Sequence, residues 1–205
     1  MLDLLHAILV LAAPAAVATS SRGIRRSSGT LGNLQAAFDS ESNAHLRYLA
    51  FAERADEEGY GEIASLFRAT AAAESIHARN HAAVMEHMGV TPRRKLYSIE
   101  VRSTRKNLLA TIESQKQERD VLYPEFLESA REESAESATR SFTSALEVEA
   151  VQAVLYQDAL DNLDKRKGRC HTYYVCPDCG NTLGRLSIAK CLICGHPKGG
   201  FLTLR

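Results

Sequence analysis

Four of the five cysteines of this chain fall into two CxxC knuckles, Cys176-Pro177-Asp178-Cys179-Gly180 and Cys191-Leu192-Ile193-Cys194-Gly195. Four thiolates at that spacing make a tetrahedral soft-ligand site suited to iron or zinc. A glycine after each second cysteine lets the backbone turn tightly around the ion. Sulfur ligands alone leave the choice between the two metals open. The clustering excludes a disulfide scaffold, which would spread its pairs along a small secreted chain. Cys170 has no partner at knuckle spacing and reads as a free thiol.

A second set of ligand types lies upstream. Glu74-Ser75-Ile76-His77 is an ExxH pattern, and residues three apart on a helix share a face, so carboxylate and imidazole can bind one metal together. Ala71-Ala72-Ala73 before it favours close helix packing over exposure. Glu41, Glu118 and Glu149 fall on three other helical stretches. Four carboxylates from four helices, with one histidine, make a dimetal cage whose burial without metal would be costly. His45 and His81 each lie one helical turn from a candidate ligand and read as satisfied bundle or surface histidines, the alternative being replacement metal ligands. Glu147 is expected to point away from the cage.

These residues need a scaffold that turns them to one point. Apolar positions recur with helical period from Leu34 to Phe51, and again from Ile63 to His81, on either side of Gly59-Tyr60-Gly61. Residues 90–103 read as a long crossover. A third helix is expected from Leu108 to Ser129, with Pro124 a candidate kink, and a fourth from Ser134 to Leu163. A shift of 75 residues superposes Tyr48 on Tyr123, Phe51 on Phe126, Phe67 on Phe142 and Glu74 on Glu149. Two similar hairpins imply a pseudo-twofold four-helix bundle. From Tyr173 the pattern changes to short β-like pieces around the knuckles, a module too small to fold without its metal. The expected division is an extension over residues 1–30, a bundle over 31–164, a linker over 165–172 and the four-cysteine module over 173–205.

Lys plus Arg and Asp plus Glu balance at 25 each, which gives no electrostatic case for nucleic acid. Residues 19–32, rich in Ser, Gly and Arg, read as a flexible lead-in. The apolar run Leu4–Ala18 ends in Ala16-Val17-Ala18, like a signal-peptide core. Asp3 precedes it and Arg22, Arg25 and Arg26 follow, the wrong charge order for ordinary export. A cytoplasmic protein is therefore expected, the alternative being export or membrane association through residues 1–20.

Glu41-Ser42, Arg47-Tyr48, Phe51-Ala52, Glu57-Glu58-Gly59-Tyr60, Glu74-x2-His77, Tyr123-Pro124-x-Phe126 and the two C-terminal knuckles, in that order, resemble the rubrerythrins. The likeness covers about residues 30–205. It implies a mainly α fold: a ferritin-like four-helix bundle followed by a small rubredoxin-like β module. It also implies a bundle di-iron site with bridging carboxylates at Glu74 and Glu149 and a further carboxylate at Glu41. One iron would move between Glu118 when oxidised and His77 when reduced. Tyr48 and Tyr123 would pack near the cluster and hydrogen-bond its ligands. The implied activity is reduction of hydrogen peroxide to water. Electrons would come from an upstream reductase or rubredoxin through iron on Cys176, Cys179, Cys191 and Cys194, across a head-to-tail homodimer.

Two residues depart from the family pattern. Gln115 stands where a glutamate, and Gln152 where a histidine, would hold the second iron. An amide oxygen is a neutral, weaker ligand, so one metal is expected to bind well and the other poorly. Two alternative functions follow: a non-catalytic metal or electron-transfer protein with a degenerate bundle site, and an interaction protein whose four cysteines hold zinc.

Overall fold

The protein's computed structural model describes residues 29–205. The expected lead-in and targeting segment lie outside the described residues up to position 28. Helices α1 (Gly29–Glu57) and α2 (Gly61–His87) form the first hairpin. An extended stretch over residues 88–103 crosses to the third rod. That rod comprises α3 (Thr104–Gln117), a π-helical turn (Glu118–Leu122) and α4 (Tyr123–Glu132), and α5 (Glu136–Asp161) is the fourth. No helix among the described residues is long and apolar enough to cross a membrane.

The first helix starts five positions earlier than its apolar period suggests, inside the stretch read as a lead-in. A tertiary contact supplies the reason: the Thr30 backbone N–H donates to both carboxylate oxygens of Glu133 at 3.2 Å. The same device recurs in reverse, with the Thr104 N–H donating to Glu58 at 2.9 Å. The turn of each hairpin carries a glutamate that caps the first helix of the other, satisfying a donor the helix itself leaves free.

This reciprocity extends through the core. Tyr48, Phe51, Phe67 and Tyr156 form one aromatic cluster, and Tyr123, Phe126, Phe142 and His81 another. The 75-residue shift maps each member of one onto a member of the other, His81 and Tyr156 included. Ring separations match: 5.5 Å for Phe51–Phe67 against 5.5 Å for Phe126–Phe142, and 5.5 Å for Phe67–Tyr156 against 5.4 Å for His81–Phe142. The left-handed turn at Gly59 (φ +81°) has its counterpart at Ser134 (φ +55°).

Pro124 acts through the turn that precedes it. It has no N–H to give the carbonyl one turn back, and the Tyr123 N–H reaches back to the Glu118 carbonyl, a π-type bond. A π turn accommodates one extra residue, so the repeat offset falls from 75 to 74 upstream of it. There, Thr30, Asn33 and Leu34 match Thr104, Asn107 and Leu108, and all six are buried.

The module is a three-stranded antiparallel sheet in the order β2-β1-β3, made of β1 (Tyr173–Val175), β2 (Thr182–Leu183) and β3 (Leu202–Leu204). It docks on the bundle of its own chain. Three side chains of α2 donate to three successive carbonyls of the first knuckle: Arg79 to Pro177 at 2.7 Å, Asn80 to Asp178 at 2.8 Å, and His77 to Cys179 at 3.1 Å. Val148 of α5 is buried in a cluster with Cys176, Cys179 and Cys191.

Candidate metal centres

The bundle carries Glu41 on α1, Glu74 and His77 on α2, and Glu149 on α5 to one place, with a ligand atom of each within 4.8 Å of the others. All four are buried, at 2% exposure or less. Glu41 Oε2, both oxygens of Glu74, Glu149 Oε2 and His77 Nδ1 have no hydrogen-bond partner. His77 Nδ1 lies 2.9 Å from Glu74 Oε2, yet the two make no hydrogen bond. Both atoms are thus close together and free to hold one metal ion.

The electrostatics agree with a cation-binding site. Burial first, then the neighbouring carboxylates, push Glu41 and Glu149 well above the usual carboxylate range. Glu74 is raised to about 8 by burial and by Glu118. Burial depresses His77, against the pull of Glu41 and of its bond to the Cys179 carbonyl. Because Nε2 is committed to that carbonyl, the bare nitrogen of the neutral ring is Nδ1, the one that faces the carboxylates. The donor set, its burial and its unmet lone pairs fit a transition-metal ion.

The other expected site residues are placed differently from one another. Tyr123 donates its hydroxyl to Glu41. Tyr48 sits in its aromatic cluster with the Arg47 guanidinium 5.3 Å from its ring centroid. Glu118 is buried beside the group but is not part of it, and Ser40 Oγ donates to its Oε1 at 2.5 Å. Burial raises Glu118, and the Ser40 bond and Arg47 oppose the rise. Both extra histidines are engaged by protein groups: His45 with the Ala71 carbonyl at 2.7 Å, His81 with Ser141 at 2.8 Å and Tyr123 at 3.2 Å. Burial and His77 hold His81 down to about 3, so it stays neutral. Gln115 and Gln152 are buried and bonded to each other, Nε2 to Oε1, at 2.6 Å.

Ser40 and the Thr70–Tyr156 hydroxyl pair were not foreseen. Tyr156 could have been found by carrying the 75-residue shift on to His81. Ser40 bears no such signal, since its partner lies 78 residues away.

The four module cysteines also converge, with ligand atoms within 4.8 Å of one another. Cys176 and Cys194 sulfurs are 3.5 Å apart, as are those of Cys179 and Cys191. A tetrahedron of about 2.3 Å metal–sulfur bonds has edges of about 3.8 Å. Each knuckle closes on its glycine, the Gly180 N–H donating to Cys176 and the Gly195 N–H to Cys191. Burial raises Cys176 to about 11. Burial also acts upward on Cys191, but the backbone N–H groups of Cys194 and Ile193 outweigh it and bring that thiol to about 7. Cys170 is exposed and stands apart from the four.

The family model for rubrerythrin matches residues 32–160. The chain belongs to the rubrerythrin family. Rubrerythrin-2 of Clostridium acetobutylicum is 37% identical over 177 residues, spanning 82% of this chain and 92% of that protein. Nigerythrin of Nitratidesulfovibrio vulgaris is 36% identical over 173 residues, spanning 84% and 85%. The solved structure of nigerythrin in a mixed-valence state superposes with a TM-score of 0.81 at 34% identity, covering 89% of this chain and 90% of that one. Its fully reduced, all-ferrous state gives the same TM-score at 32% identity, covering 97% and 100%. The rubrerythrin family comprises di-iron oxidoreductases that hold a further iron on four cysteines, and this chain presents both ligand groups.

Proposed function

We propose that this rubrerythrin-family protein reduces hydrogen peroxide to water at the bundle centre, with electrons delivered through iron on Cys176, Cys179, Cys191 and Cys194. One observation carries the reading. The His77 ring bridges the two centres, Nδ1 turned to the carboxylate group and Nε2 bonded to the carbonyl of a cysteine ligand. The resemblance draws that closeness from two chains of a head-to-tail dimer; here the module meets the bundle of its own chain.

Bound iron would supply the one-electron steps and a place for peroxide to bind. The protein does the rest. Glu41, Glu74, His77 and Glu149 hold the ion, and the Tyr123 hydroxyl fixes the orientation of Glu41. A pocket of about 220 Å³, lined among others by Asn33, Ser40, Glu41, Glu118 and Phe126, gives a small substrate a way in. Glu118, raised by burial, lines that pocket and can carry a proton there, its Oε1 accepting from Ser40.

The test compares the iron-loaded protein with Glu74→Ala. Wild type is expected to hold iron in both centres and to consume peroxide with an electron donor. The variant should keep the four-cysteine iron, lose the bundle iron and lose turnover by two orders of magnitude or more. Undiminished peroxide consumption in a variant without bundle iron would refute the assignment. A colourless four-cysteine site that binds zinc alone would favour the interaction-protein alternative instead.

A further inference from the structure

The two halves of the cage are not equivalent, and the pseudo-twofold shows where they part. The shift of 75 carries Glu74 to Glu149 and His77 to Gln152. Upstream of the π turn the offset is 74, which carries Glu41 to Gln115. Gln115–Gln152 is therefore the symmetry counterpart of Glu41–His77. In the first pair, His77 Nδ1 and Glu41 Oε1 stand 3.8 Å apart, and both side chains keep unpartnered atoms in the group. In the second, Gln115 Nε2 donates to Gln152 Oε1 at 2.6 Å, the residues are 1% and 0% exposed, and the atoms left without a partner are one amide oxygen, Gln115 Oε1, and one amide nitrogen, Gln152 Nε2.

We propose that this bundle takes one metal ion, on Glu41, Glu74, His77 and Glu149, and that the Gln115–Gln152 amide pair closes the symmetry-related position to a second. The inference rests on reading the bundle as a metal centre. An amide binds a metal only through its oxygen and brings no charge. The oxygen of Gln152 is already spent on Gln115, so ligation there would break a buried hydrogen bond and leave an N–H unmet, and the one free amide oxygen, Gln115 Oε1, offers a single neutral donor where the first half offers a carboxylate and an imidazole. The second half gives the group one carboxylate, Glu149, where the first gives two and an imidazole. Glu118 does not make up the difference, since it stands outside the group with its Oε1 engaged by Ser40.

The experiment loads the full-length protein anaerobically with excess ferrous iron, removes unbound metal, and measures iron per chain together with magnetic coupling by Mössbauer and electron paramagnetic resonance spectroscopy. Wild type should hold two irons per chain in all, one on the cysteines and one magnetically isolated in the bundle. Three irons with an exchange-coupled pair would overturn the inference while leaving the bundle centre intact. One iron, confined to the cysteines, would overturn the bundle centre itself. The variant Gln115→Glu/Gln152→His restores the counterparts of Glu41 and His77 and should gain one iron and the coupling. If it folds to wild-type helical content and still holds two, the amide pair is not what closes the position. Should it fail to fold, the wild-type count alone decides the number of ions.

Discussion

Gly180→Ala isolates the contact between the module and the bundle. Gly180 adopts φ +80°, and a Cβ there would lie 2.9 Å from His77 Nε2 and 3.2 Å from Ala73 Cα. The helix backbone at Ala73 cannot yield, so the first knuckle must move away from α2. Gly195 is a built-in control: it has the same φ of +80° in the second knuckle, and an added Cβ there meets nothing within 4 Å. Both substitutions carry the left-handed penalty of about 1 kcal/mol. Only Gly180→Ala also loses the bond from His77 and loosens those from Arg79 and Asn80. At about 1 kcal/mol for each net hydrogen bond, docking should weaken by about 2–3 kcal/mol, a drop of about 30- to 150-fold in the docking equilibrium constant. Peroxide-driven reoxidation of the reduced four-cysteine iron, followed by stopped-flow absorbance, reads the docked fraction. Gly180→Ala should be slower than Gly195→Ala, by up to a factor of that order. Equal rates in the two variants would refute the claim that this docking carries the electrons.

Two further outcomes follow from the bundle. In the metal-free protein, Glu74 moves from an ordinary 4.5 to about 8 on folding, so the folded state holds its proton more tightly. That contribution is complete below about pH 4.5 and is lost as the pH rises through 8, so the unfolding midpoint of the metal-free protein should fall across that interval. Calorimetry should show no such fall once metal neutralises the carboxylates, and a flat metal-free profile would contradict the burial argument. Tyr123→Phe removes the hydroxyl from Glu41 and should lower bundle iron affinity by about tenfold. The four-cysteine iron should be unaffected, as a chelator competition titration would show.

Much of this was legible because helical period and metal-ligand spacing are local. The four helices, the two knuckles and the ExxH on α2 follow from residues within a turn or two of each other. The 75-residue repeat adds one non-local fact, and its loss of one residue before Tyr123 is the imprint of the π turn at Glu118–Leu122. What stayed hidden depends on partners far apart in the chain. Glu133 caps the start of α1 at Thr30 from 103 residues away, Ser40 engages Glu118 beside the ligand group, and α2 reaches the first knuckle across about a hundred residues. The departure at Gln115 and Gln152 was visible as two substitutions. That they bond to each other required the fold.

The most direct measurement is a single turnover on the fully reduced protein. With no electron donor present and peroxide in saturating excess, the thiolate–iron colour should return at a rate independent of protein concentration, and Glu74→Ala should recolour at least a hundredfold more slowly. Equal recolouring in wild type and variant would mean that peroxide oxidises the four-cysteine iron without the bundle, and the account would fail.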